Sequence, residues 1–248
     1  MLSESDLLSQ LDQIVKVFAY VNDKDLFLEF YKKLLAKRLL TKKSINDHAE
    51  KHFVTKLKLR CGAQFTSKLE GMLKDMQRST EHANKFERYI KDRRRELPYE
   101  FEPQILTSGF WPSIGNLRIR LPRSMMTGVD LFEEYFTSLH EKRKLCWLHD
   151  LGTLEIQGSF KETNKVVTFQ VSTLQACILL IFNQIDSIRI ADVIKMLECD
   201  PNQLKVQMKP LCSSQFPVLL KRPAKGYKTD DMFVFACCFF FFFFVDCQ

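Results

Sequence analysis

None of the eight cysteines in the 248-residue sequence forms a Cys-x-x-Cys pair, which removes the commonest zinc and redox spacings. There is no glycine-rich phosphate loop, no Gly-x-Ser-x-Gly turn and no paired His/Cys arrangement, so phosphate cradling and nucleophilic catalysis find no residues to carry them. Met1–Gln10 has no secretory character. The phenylalanine-rich run near the carboxyl terminus is short of the ~20 residues that span a bilayer. Scattered thiols without a leader fit a reducing interior, cytoplasmic or nuclear, with Cys61, Cys146, Cys177, Cys199 and Cys212 as ordinary core thiols. His48 and His52 stand four apart, the spacing that lets two imidazoles share a metal. Glu50 is displaced from the His-Glu-x-x-His arrangement and no third ligand is evident, so they read as polar residues on a wet helix face. No metal and no cofactor are expected. His149 and Asp150 are adjacent without a nucleophile beside them, and His140 and His149 read as surface or interface residues.

What is present is a globular composition with a formal charge of +7, which favours acidic partners without choosing among them. The length suits two or three small domains. Asp25–Leu40 runs without Gly or Pro and reads as a helix capped by Asn22 or Asp23. Phe27, Phe30, Tyr31, Leu34 and Leu35 make its apolar arc, widened by Leu26, Leu39 and Leu40, and Arg38 is expected to bury its stem and turn its guanidinium outward. Before it, Leu7, Leu11, Ile14, Phe18 and Val21 recur at helical spacing behind Ser5 or Asp6 as cap. A third helix runs from about Asp47 to Leu59 and stops at Gly62. Phe65, Leu69, Met72 and Met76 form a fourth stripe, with Gly71 marking a close helix crossing, and Glu81–Ile90 adds a further helical piece. These elements make a helical bundle over residues 1–96. Lys91–Arg95 reads first as a solvated linker and second as a grip for phosphate or an acidic tail.

After Pro98 the apolar period changes to two. Leu117, Ile119 and Leu121 alternate with arginines, Leu154 and Ile156 flank Glu155, and Val167, Phe169 and Val171 alternate with Thr168 and Gln170. A helix over Met125–His140 covers this small α/β sheet, assigned to residues 97–171. A winged-helix element follows over 172–235: a helix behind the Ser172/Gln175 capping box, a short strand at Ile188–Ile190, a second helix over Ala191–Leu197, and a third starting at Asp200-Pro201. Its wing runs from Phe216–Lys221 to Met232–Phe235. Residues 236–248 read as a low-complexity tail, disordered or aggregation-prone. The fold class is α+β.

Several blocks carry a family resemblance. Lys24–Leu40 (KDLFLEFYKKLLAKRLL), TKLKLRCG, QFTSKLEGMLKDM, FEPQILTSGFWP, RKLCWL, STLQACILL and FPVLLKRPAKGYKTDDMFVF stand in the order of the cullin homology region, over roughly residues 6–235. The chain thus resembles cullins, the non-catalytic scaffolds of multi-subunit ubiquitin ligases. The resemblance implies a helical bundle, an α/β domain and a winged helix that together hold a RING-box protein, which recruits a ubiquitin-conjugating enzyme. The implied device is strand addition to a sheet left one strand short. The receiving strands would include Gln104, Ile105 and Leu106, then Leu117, Ile119 and Leu121, then Leu154 and Ile156, then Val167 and Phe169. Trp111 and Trp147 fit either aromatic anchors or core residues. Lys33, Lys42 and Lys43 fit a basic surface for an acidic conjugating-enzyme tail, or solvated helix charges. The resemblance stops after Phe235, which implies a truncated cullin-like protein lacking both the adaptor-binding repeats and the domain that holds the modifiable lysine.

The alternative is a winged-helix DNA-binding protein, with Asn202, Gln203, Lys205, Gln207 and Lys209 on the recognition helix. Pro210 in its last turn, and the absence of arginine from it, count against that reading, and no nucleic-acid partner is expected.

Overall fold

A computed structural model describes residues 3–41, 46–113, 115, 117–160, 166–213, 218–223, 230–235 and 239–243. The residues cluster in two compact units, 1–85 with 104–114 and 86–103 with 115–248.

In the first unit α1 (Glu4–Phe18) is capped by Ser3, whose Oγ accepts from the Asp6 amide at 3.2 Å, and not by Ser5 or Asp6. Helix α2 (Lys24–Leu40) starts after Asp23 without a side-chain cap bond. Its apolar arc is split: Leu35, Ala36 and Leu39 are buried with Phe27 and Tyr31 beside them, whereas Leu26, Phe30 and Leu34 are exposed on another side. Helix α3 (Asp47–Cys61) is capped by Asn46, whose side chain accepts from the His48 amide. It ends at Gly62, where φ is 86° and the amide returns to the Lys58 carbonyl at 2.8 Å. Helix α4 (Ala63–Asp92) is one 30-residue helix, where the sequence suggested two pieces. Val15, Phe18, Leu35, Phe53, Val54, Leu57, Leu69 and Met72 form the first core, and each such side chain contributes roughly 1.5–3 kcal/mol by leaving water.

Gly71 does not mark a helix crossing. The Phe110 ring lies where a Cβ at Gly71 would sit, so residues 104–111 pack flat on α4. Asp75 locks them there. Its buried carboxylate accepts from the Thr107 amide at 2.7 Å, the Thr107 hydroxyl at 2.8 Å and Trp111 Nε1 at 2.8 Å. A buried charge meeting three donors is compensated where an unpaired one would not be.

The second unit holds α5 (Arg123–Leu139), β1 (Thr153–Phe160), β2 (Val166–Ser172), α6 (Thr173–Ile181), β3 (Ser187–Arg189), α7 (Ile190–Leu197), α8 (Pro201–Leu211), β4 (Leu219–Arg222), β5 (Met232–Phe235) and β6 (Phe239–Phe243). The Ser172 capping box is formed in full, and Asp200 Oδ1 accepts from the Asn202 and Gln203 amides at the start of α8. Strands β3, β5 and β4 form the three-stranded wing sheet in that order. The other sheet runs β2–β1–β6 and is antiparallel throughout. The α+β class holds. The charge run stays exposed as expected, yet Arg93 and Arg95 both reach Glu134 at 2.7 Å, and Arg95 above all keeps that carboxyl below the usual range.

Candidate functional site

The site of interest is the edge of β1. Leu154 and Ile156 are buried while Glu155 and Gln157 between them are half-buried, the alternation of a strand with one face on a core. That core includes Leu174, Ile178 and Val193. One edge of β1 is laddered to β2, with Ile156 opposite Phe169 and Gly158 opposite Val167. On the other edge Ile156, Gln157, Gly158, Ser159 and Phe160 stand opposite Phe243, Phe242, Phe241, Phe240 and Phe239. The sheet expected to be one strand short is therefore filled on this side by the chain's own tail. Five tail residues that read as low complexity pair as a strand, and the β propensity of phenylalanine was the available signal.

Leu117–Leu121 does not join this sheet. It keeps its alternation, with Leu117 buried, Ile119 and Leu121 half-buried and Arg118 and Arg120 exposed. Yet among the described residues no strand pairs with it, and only the Arg120 amide is tied down, to the Leu197 carbonyl at 2.8 Å. Beside it lies an open groove of about 450 Å³ lined by Leu117, Arg118, Ile119, Arg120, Trp147, His149 and Glu198. Trp147 is half-buried, set against Phe101 and Phe132 at 6.1 and 6.0 Å, and its Nε1 donates to Glu133 at 2.6 Å. That leaves indole surface facing the groove. Burial draws the His149 pKa below its ordinary value, against the opposing pull of Asp150.

Other expected site residues fall elsewhere. Gln104, Ile105 and Leu106 are not strand residues of the sheet. They belong to the first unit, where the Ile105 amide donates to Ser79 Oγ at 2.8 Å. Trp111 is buried in the core there and bonded to Asp75, which is the core one of its two expected places. Lys33 is exposed and paired with Glu29 at 2.8 Å; Lys42 and Lys43 lie outside the described residues. The Arg38 guanidinium turns inward, meeting Glu50 at 2.5 and 3.0 Å and lying 5.5 Å from the Tyr31 ring centroid. On α8, the Gln207 side chain accepts from Ser172 Oγ at 2.9 Å and its backbone carbonyl from Gln175 Nε2 at 3.1 Å, so the side chain does not project as a base reader. Among the described residues no His, Cys, Asp and Glu cluster has metal-binding geometry, and no helix is long and apolar enough to cross a membrane. Burial pushes the Cys177 thiol up to about 12, which makes it an unreactive core group.

Residues 1–83 match the cullin alpha solenoid domain and residues 105–239 match the cullin alpha+beta domain. The chain belongs to the cullin family. It is 37% identical over 236 residues to Cullin-1 of Oryza sativa, which covers 94% of this chain and 32% of that protein. It is 36% identical over 234 residues to human Cullin-4A, 94% of this chain and 31% of the relative. Against Cullin-3 of Dictyostelium discoideum it is 41% identical over 181 residues, 73% of this chain and 23% of the relative. The chain thus spans about a third of the length of the curated cullins it matches. The alpha+beta match ends at residue 239, the first residue of β6.

Proposed function

We propose that this cullin-family chain acts as a non-catalytic scaffold segment of a ubiquitin ligase, holding a RING-box protein that in turn brings a ubiquitin-conjugating enzyme. The contact is strand addition on the β1 edge. The observation that carries this reading is where the family match stops. Within residues 105–239, the described strand paired with β1 is β2; the strand on its second edge comes almost wholly from beyond the match. An edge of this kind offers a row of backbone amides and carbonyls to an extended segment, and its side-chain pattern sets which segment fits. A strand placing apolar residues opposite Ile156 and Phe160, and polar ones opposite Gln157 and Ser159, suits β1 on both faces.

The groove beside Leu117–Leu121 supplies a second contact, in which Trp147 packs against an apolar side chain of the same partner. Lys33 adds little to a basic surface because Glu29 neutralises it. Co-expression of the chain with a RING-box protein tests the proposal. The two are expected to copurify as a stoichiometric complex; a chain that is folded by circular dichroism yet leaves its partner behind contradicts it.

A further inference from the structure

We infer that the phenylalanine strand is an intramolecular competitor: β6 occupies the β1 edge that the partner strand needs, so that binding requires the tail to be displaced. This rests on the strand-addition reading above. The register carries the argument. Phe242 stands opposite Gln157 and Phe240 opposite Ser159, so the tail offers phenylalanine at both places where β1 presents a polar residue. Phenylalanine runs unbroken from 239 to 244, so a one-residue slip that brings Phe244 opposite Ile156 leaves the same residue type opposite each paired position of β1. Register is weakly specified where a strand has no alternation. By residue type β6 suits β1 opposite Ile156 and Phe160 and mismatches it opposite Gln157 and Ser159, so its hold is a five-residue backbone ladder with two ill-suited pairs.

An incoming strand of alternating pattern makes the same ladder, keeps the apolar pairs and adds polar residues opposite Gln157 and Ser159. It wins the edge, at an affinity reduced by the fraction of molecules in which the tail is seated. The connector is short. Residue 235 ends β5 in the wing sheet and residue 239 begins β6, so the tail stays at high effective concentration beside β1 and reseats when a partner leaves.

The test is a binding titration of a purified RING-box protein against three full-length chains: the natural sequence, Phe241→Pro and Phe241→Val. Proline removes an amide from the middle of β6 and breaks its ladder, whereas valine keeps a strand. If the tail closes nine edges in ten, Phe241→Pro binds about tenfold more tightly than the natural chain, and Phe241→Val binds like the natural chain. A fourth protein guards against misfolding of the proline variant: a full-length chain with a protease site in place of residues 236–238, cut after folding, is expected to show the same gain. Equal affinity of all four, or weaker binding without the tail strand, overturns the competition and leaves the scaffold reading standing. Failure of every chain to bind overturns the scaffold reading and the competition with it.

Discussion

Ile156 of β1 stands directly opposite Phe243 of β6, so the central strand of the α/β sheet is flanked on one side by a strand of which all but Phe239 lies beyond the family match. In the order β2–β1–β6 the phenylalanine strand is outermost. An uncharged aromatic edge is a template for pairing with another copy. The natural chain is expected to self-associate with rising concentration, and Phe241→Lys to abolish this, as read by sedimentation velocity. Concentration-dependent association that survives the lysine would place the contact elsewhere.

Asp75 holds residues 107–111 against α4 through three donors. Removing the acceptor leaves the buried Trp111 indole N–H unsatisfied, at about 1–3 kcal/mol, whereas the donors of exposed Thr107 can turn to water. Asp75→Ala is expected to lower stability by about 1–3 kcal/mol, measured as a lower urea midpoint at unchanged slope. Asp75→Asn, which keeps one acceptor oxygen, should fall between the two.

The Arg38–Glu50 pair has a Tyr31 hydroxyl as third member, donating to Glu50 at 3.0 Å. Burial first, and then the Glu50 charge, raise the Tyr31 pKa, and the same carboxylate raises that of Arg38. The half-buried, bidentate geometry predicts a coupling of about 1–2 kcal/mol in a double-mutant cycle of Arg38→Ala and Glu50→Ala, between an exposed pair and a fully buried one. Arg38→Lys should lose much of it, because an ammonium cannot make both bonds. A coupling near zero would mean that the pair is decorative.

His149 gives a pH dependence. Its folded pKa lies below the ordinary 6.5 because burial disfavours the imidazolium. The unfolded chain therefore binds this proton more readily, and the contribution of His149 is fully present above about pH 6.5 and is lost as pH falls. His149→Gln should flatten the slope of unfolding free energy between about pH 7 and 5; an unchanged slope assigns the acid sensitivity to other groups.

What could be read from the sequence was what is local. The Ser172 capping box, the Asp200-Pro201 start and the stop at Gly62 each depend on residues within one helical turn, and each formed as its residues dictate. The family blocks were legible because they are contiguous. The partner of Trp111 was not, since Asp75 lies 36 residues away and nothing in either neighbourhood points to the other. Nor was the fate of Leu117–Leu121, whose alternation predicts a strand that the chain leaves without a ladder among the described residues. The split face of α2 and the strand at Phe239–Phe243 escaped for a common reason. Leu26, Phe30 and Leu34 look like core residues by type, and a homopolymer has no period from which to read a pairing face.

Amide hydrogen exchange along β1, in the Phe241→Pro chain with and without a saturating RING-box protein, tests the strand-addition account most directly. The account predicts that Gln157, Gly158 and Ser159 include amides that exchange quickly in the free variant and become protected in the complex. A complex that forms while those amides exchange at the free rate would contradict it.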